Sequence, residues 1–543
     1  MASASSTYLH STPTPPTKAR SISAFDLRRW LQDGTEIALL DVREPGEYGE
    51  GHPFLAVPLP YSRLELDIHR LVPRTATRVV LLDQGDGSQL GERAASQLVR
   101  LGYSGVHLLQ GGVSAWTTTG AALFKGVNLP SKTFGEKIEL AFGVPHISAT
   151  ALHERQQAGE PLVLLDGRTL EEHRKMTIPG AIPVPNGELA LRWRSAVPND
   201  TVPVVVHCAG RTRSIVGAQI LRDLGIPNPV LALENGTQGW ALAGLELERG
   251  STRTLPPATD GQLRDAARSD AGRAAANEGV PVLSAREAQA WVDDPGRSTF
   301  VLDVRTAAEF AAGSLVGAMH APGGQLLQAT DQFIGVRHSR VLLVDGDEGV
   351  RAPLVALWLQ RLGFEAAVLE AGGQAHLRLP APVSFQLAER FQALPEKTWA
   401  EASPAVLIDL RSSHAYRGGH ARGARWSIRP RLVADVERAT TGDRRQPLWI
   451  VFDDPHTAAL AASDLGEAGW TEVRGISAVQ ASSWPQDETP HSPTDAEAID
   501  YLFFVHDRHD GNLDAARRYL EWETALLAQC TADELAVFRL PRT

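Results

Sequence analysis

An Asp-x-Arg unit closes an apolar, strand-like run four times along the chain, at Asp41/Arg43, Asp166/Arg168, Asp303/Arg305 and Asp409/Arg411. Moving 42 residues on from the first three aspartates reaches Asp83, Cys208 and Asp345. Each ends a second apolar run: Val79 to Leu82, Val204 to His207 and Val341 to Val344. In the fourth copy the step is 44, to Asp453 after Trp449 to Phe452. Six residues past the Asp-x-Arg aspartate stand Glu47, Glu172 and Glu309, with Ala415 the exception; fourteen past it stand Gly180, Gly317 and Gly423, with Leu55 the exception. Glycine-bearing turns, Gln110-Gly111-Gly112, Glu234-Asn235-Gly236 and Ala371-Gly372-Gly373, close the first three copies. Fixed internal spacing of this kind is a repeat signal, here at the scale of a domain. The 543 residues suit that reading, since roughly 100–200 residues per domain gives about three to five domains.

Within each copy short apolar strands alternate with helical patterns, as in Pro161–Leu165, Val202–His207, Ser214–Leu224 and Pro229–Leu233 of the second. That alternation predicts βαβ units and a parallel sheet covered on both faces. Ligands of such sheets sit beyond the carboxyl ends of the strands. The second copy places its distinctive residues there. The apolar run ends at His207-Cys208-Ala209-Gly210-Arg211-Thr212-Arg213-Ser214 and leads straight into the helical pattern. A thiol is thereby set at a helix N-terminus among backbone N–H groups and guanidinium charges, surroundings that bind anions and favour a thiolate. Gly210 permits close backbone approach, and the Arg211 and Arg213 forks suit an oxoanion. Arg213 is equally suited to pair with a carboxylate of its own module. His207 precedes the thiol by one strand position, points to the opposite face and is read as structural. Asp166 and Arg168 are read as a structural pair, because the copies without cysteine keep it. Trp116 and Trp240 are read as core. Arg174, Lys175, Arg192 and Arg194 are read as solvated surface charge.

Composition narrows the function. A net charge of −11 is modest for this length and argues against nonspecific nucleic-acid binding. No apolar run approaches the roughly 18 residues of a membrane helix, so no membrane partner is expected. Met1 to Arg20 is Ser/Thr/Pro-rich and reads as a disordered lead. Two cysteines exclude a disulfide framework and suit a reducing cytoplasm. No Cys/His cluster has zinc-ligand spacing, and no metal or cofactor is expected.

These residues resemble the rhodanese family of sulfurtransferases. The Asp-x-Arg strand end, the turn Ile178-Pro179-Gly180-Ala181-Ile182-Pro183, the six-residue loop Cys208 to Arg213 and the closing Glu234-Asn235-Gly236…Gly239-Trp240 carry the likeness. It covers about 80% of the chain and is similar to the bacterial tetra-rhodanese type, whose second module alone keeps the cysteine. The resemblance implies four tandem α/β modules, each a doubly wound, five-stranded parallel sheet flanked by helices. They are expected at 20–125 (Asp83 at the cysteine position), 146–250 (Cys208), 280–385 (Asp345) and 390–490 (Asp453), with a helical C-terminal appendage at 491–543. It also implies a catalytic Cys208 that becomes a persulfide, with Ala209, Gly210, Arg211, Thr212 and Arg213 binding substrate. The implied partners are a small anionic sulfur donor such as thiosulfate, a cyanide or thiol acceptor, and a possible protein acceptor.

Two rival functions stand beside this one. A cysteine phosphatase has one more residue between cysteine and arginine than the Cys208–Arg213 loop. A sulfur carrier or scaffold would load Cys208 without turnover. The modules bearing Asp83, Asp345 and Asp453 are expected to be silent, since a carboxylate forms no persulfide. Their loops Gln84-Gly85-Asp86-Gly87 and Gly346-Asp347-Glu348-Gly349 are acidic where the second copy is basic, and no coordination spacing suggests a metal there. Three connecting segments complete the reading. Asn128 to His146 is an amphipathic link, Ser251 to Gly279 an exposed helix in a flexible joint, and Asn512 to Leu527 a helix packing on a neighbour. Cys530, with apolar or neutral neighbours, reads as a small hydrophobe.

Overall fold

The computed structural model describes residues 19–381, 405–509 and 511–540. Most of the N-terminal lead and the expected start of the fourth module at 390 lie outside the described residues. Three five-stranded parallel sheets follow one another with the same strand order. In the second, the order across the sheet is His146–Ile147, Val230–Leu233, Val204–His207, Val163–Asp166 and Ile182–Pro183. The fourth sheet has four strands among the described residues, in the order Arg425–Trp426, Val406–Asp409, Leu448–Phe452 and Val473–Ser477. Beside it, His420–Ala421 pairs antiparallel with Gln486–Asp487.

The strands are central because their residues permit it. Val204, Val205 and Val206 are β-branched and fully buried, as a parallel strand covered on both faces requires. The repeated Asp-x-Arg has one structural job in all four copies. The aspartate accepts from the arginine's backbone N–H and side chain, and the guanidinium also donates to a carbonyl eight residues further on: Gly51, Met176, Gly313 and Gly419. The arginine thus fastens the loop after each strand to the strand end.

The two links joining the first three modules are packed rather than loose. Asn128 to His146 forms the helix Leu129–Phe142, which buries Phe134 and Ile138. Phe134 stands 5.8 Å from Trp358 of the third module and 5.5 Å from Phe538 of the appendage, ring centre to ring centre. One apolar cluster therefore runs through the first three modules, this helix and the C-terminal segment. The expectation of an exposed helix between the second and third modules is corrected. The helix Gly261–Asn277 buries Ala267, Ala271, Ala274 and Ala275, a stripe at helical spacing whose small side chains allow close packing. It lies against the helices Leu189–Ala196 and Arg351–Arg361.

Buried ion pairs tie modules across their boundaries. Arg351, 1% exposed in its side chain, reaches Glu188 of the second module at 2.6 Å and Glu309 of its own at 2.9 Å. Arg429 joins the fourth module to the first through Glu65 at 2.6 Å. Among the described residues no helix is long and apolar enough to cross a membrane.

Candidate active site

Cys208 lies one residue past the strand Val204–His207 and four before the helix Thr212–Asp223, and is 2% exposed. Its Sγ stands 3.5 Å from Ser214 Oγ, whose hydroxyl donates to the Arg211 carbonyl at 2.8 Å. The turn that closes the module braces the loop from behind. Thr237 N donates to the Cys208 carbonyl at 2.8 Å and Gln238 N to that of Ala209 at 3.1 Å. Gly236 makes this contact possible. It has φ +52°, and a Cβ there would stand 2.2 Å from the Cys208 carbonyl oxygen.

The side chains of the loop are spoken for. Arg213 lays two guanidinium nitrogens on Glu172 at 2.8 and 2.7 Å, and Glu172 at the same time completes the capping box of the helix Leu170–Lys175. Burial alone would raise the Glu172 carboxyl, but Arg213 and then Arg168 outweigh it and hold it down at about 2. Arg211 meets Glu136 at 2.7 and 2.9 Å and also pairs with Glu139, both from the helix Leu129–Phe142. Gly135 lets that helix approach, since a Cβ there would stand 2.9 Å from Thr212 Cγ2. The charges that the sequence offers to an incoming oxoanion are thus matched by carboxylates of the protein.

Behind the loop His207 is fully buried, 3.6 Å from Asp166, and burial pushes its ring down to about 4. It is a neutral member of a network that includes Thr177 and His173, with His173 3.0 Å from Asp166. Trp116 and Trp240 are core. Arg192 pairs with Glu188 at 3.0 Å and Arg194 with Asp270. Those two arginines, Arg174 and Lys175 lie outside the cavity over Cys208.

That cavity is lined by residues Cys208 to Arg213 and closed by residues far away in sequence: Lys132, Gln328, Arg508, Tyr519 and Glu523. The helix Leu513–Thr524 lies over the loop, where Thr212 Oγ1 donates to Glu523 Oε1 at 3.0 Å. Lys132 donates to the Tyr519 hydroxyl and lies 3.4 Å from Glu523. The sequence places a helix here, but no spacing signals that its side chains roof the thiol, because the contacts span 311 residues.

In the first and third modules a carboxylate occupies the place of the thiol. Asp83 accepts from Gly85 N at 3.0 Å and Gly91 N at 3.1 Å. Asp345 accepts from Gly346 N at 2.8 Å, Arg351 N at 2.7 Å and Ala352 N at 2.9 Å. The loop at this strand end is an anion cradle, filled in those copies by the chain's own charge.

A tandem array of parallel α/β units with a strand-to-helix anion cradle defines a class, and the family comparison agrees. The rhodanese-like domain model matches residues 23–119, 148–243 and 284–376, more than half of the chain, which therefore belongs to the rhodanese family of sulfurtransferases. A solved thiosulfate sulfurtransferase from Pseudomonas aeruginosa is 37% identical, with TM-score 0.87 over 96% of this chain and 100% of that one. YrkF of Bacillus subtilis, named as a sulfur carrier protein, is 32% identical over 102 residues, 19% of this chain and 54% of its own length. Rv0324 of Mycobacterium tuberculosis, named as an HTH-type transcriptional regulator, is 35% identical over 107 residues, 19% of this chain and 45% of its own length. The chain spans about half the length of the curated relatives it matches.

Proposed function

We propose that Cys208 carries a sulfur-transfer reaction from a small anionic donor such as thiosulfate to a thiophilic acceptor such as cyanide or a thiol. The observation that carries the reading is the position of Cys208 at the base of a polar cavity, in a loop whose counterparts hold a carboxylate. The Cys208 thiolate attacks the sulfane sulfur of the donor. A sulfur–sulfur bond forms at Sγ, the donor's own sulfur–sulfur bond breaks, and sulfite leaves with the electron pair. The acceptor then attacks the outer sulfur and Cys208 leaves as thiolate. The backbone N–H groups of Ala209, Gly210, Arg211, Thr212 and Arg213 stabilise the charge on sulfur through both steps. The arginines act mainly by holding the loop in shape through Glu136 and Glu172. The modules at 20–125, 280–385 and 390–490 are silent, and within the appendage at 491–543 the helix Leu513–Thr524 roofs the catalytic module at 146–250. A reducing, cytoplasmic setting suits a thiol that must cycle free.

A thiosulfate–cyanide assay beside intact mass measurement tests this reading. The expected result is one sulfur added to Cys208 by thiosulfate and removed by cyanide, with no hydrolysis of an aryl phosphate. A protein that gains no sulfur, or hydrolyses the phosphate, overturns it. A second reading, a sulfur carrier, is favoured by the burial of Cys208 beneath the appendage. Its mark is a persulfide that forms and does not leave to small acceptors.

A further inference from the structure

The cavity over Cys208 sets cationic and anionic side chains side by side. Lys132 and Arg508 both line it and supply cationic groups, with the Arg508 guanidinium seated 3.4 Å from the centre of the Tyr519 ring. Glu523 supplies the anionic group, 3.4 Å from Lys132. Its side chain is 2% exposed, and Oε1 is engaged by Thr212 and Lys132, whereas Oε2 has no hydrogen-bond partner among the described residues. That orphan oxygen faces the loop, 3.0 Å from where a Cβ on Gly210 would stand. A buried carboxylate oxygen without a donor is costly and calls for an occupant that supplies one. Thiosulfate carries no N–H and adds negative charge, so the first half-reaction leaves this oxygen unused.

We infer that the acceptor in the second half-reaction is a small dipolar aminothiol of the cysteine class. Its carboxylate is received by Lys132 and Arg508, and its ammonium donates to Glu523 Oε2. This rests on the sulfur-transfer reading of Cys208. With the acceptor's two charged groups held by this adjacent pair, its thiol is left to face the persulfide. After the thiol proton has gone to solvent, the thiolate attacks the outer sulfur. The new sulfur–sulfur bond forms as the bond to Cys208 Sγ breaks, Cys208 departs with the electron pair, and the product is the aminothiol's persulfide. Sulfur moves at constant oxidation state, so no external oxidant or reductant is required.

The full-length protein, loaded with thiosulfate and freed of excess donor, provides the test. Intact mass first shows whether Cys208 carries the extra sulfur; failure to load overturns the sulfur-transfer reading and this inference together. Loaded protein is then discharged with L-cysteine, N-acetyl-L-cysteine, 3-mercaptopropionate and cysteamine at equal thiolate concentration. L-cysteine is expected to exceed each of the other three by on the order of tenfold in kcat/KM, as expected for one lost charge-assisted contact. Glu523→Gln is expected to collapse the preference for L-cysteine over 3-mercaptopropionate, and Lys132→Met the preference over cysteamine. Loading with no discrimination among the four thiols in the unaltered protein overturns the inference alone. Discrimination that Glu523→Gln leaves unchanged overturns the role of Glu523.

Discussion

Arg211 and Glu136 meet at 2.7 and 2.9 Å, joining the Cys208 loop to the helix between the first two modules. Both side chains are largely buried, at 14% and 7% exposure, so neither charge is easily returned to water. Arg211→Ala is expected to cost about 3 kcal/mol by stranding the carboxylate. Combining it with Glu136→Ala is expected to cost less than the sum of the two single changes. Denaturant titration of the four proteins measures this coupling; additive losses would mean that the pair does not interact.

Arg351 gathers Glu188, Glu309, Glu348 and Asp345 around one guanidinium at the boundary of the second and third modules. Arg351→Met is expected to destabilise the protein by about 3–5 kcal/mol, since it leaves several carboxylates without a cation. Loss of sulfurtransferase activity is expected only in step with unfolding, because Arg351 lies outside the cavity over Cys208. Parallel measurement of unfolding midpoint and specific activity checks both parts.

Restoring a thiol to the third module is not expected to restore chemistry. In Asp345→Cys built on Cys208→Ser, the loop still carries Asp347 and Glu348, and Arg351 is still held by Glu188. Turnover below about one hundredth of the unaltered protein is expected in a thiosulfate–cyanide assay. Activity approaching that of the parent would mean that the thiol alone decides which module works.

Much of this architecture was legible because it repeats. The Asp-x-Arg units and the 42-residue step are local features enforced by one strand end in each copy, so spacing located the strands and Cys208. Three other features were not legible. The helix Gly261–Asn277 reads as polar because its buried stripe is alanine, which carries little hydropathy signal. The partners of Arg211 sit on a connecting helix outside the repeat. The roof formed by Tyr519 and Glu523 depends on how the appendage folds back over the second module, and contacts at such separation leave no periodicity in the chain.

Acid is expected to weaken the fold through its buried histidines. Burial pushes the His207 ring down from 6.5 to about 4 and His52 to about 3, so both stay neutral in the folded protein while unfolded chain takes up protons. Their stability contribution is complete above about pH 6.5 and declines as pH falls toward 4, by roughly 1.4 kcal/mol per unit for each ring. His207→Gln is expected to flatten the fall in unfolding midpoint between pH 6.5 and 4. An identical slope in both proteins would remove His207 from this role.

The second thiol is expected to be a bystander. Cys530 is half-buried, and burial, followed by the nearby charge of Glu534, pushes it up to about 12. Cys530→Ala is expected to keep full sulfurtransferase activity, whereas Cys208→Ser abolishes it without unfolding the chain. Alkylation of Cys530 in native protein is expected to be slow at pH 8 and to accelerate as pH rises. Loss of turnover in Cys530→Ala with Cys208 still loading sulfur would make it a relay instead.

The contact between Thr212 and Glu523 joins residues 311 positions apart. During synthesis the Cys208 module leaves the ribosome long before the helix Leu513–Thr524 exists, so the thiol spends that interval uncovered. Long-range contacts of this kind form late and slowly. A chain stalled or clipped before the helix Leu513–Thr524 would therefore present an open thiol to oxidants and electrophiles, and the contacts inferred to select the acceptor would form only once that helix has been made.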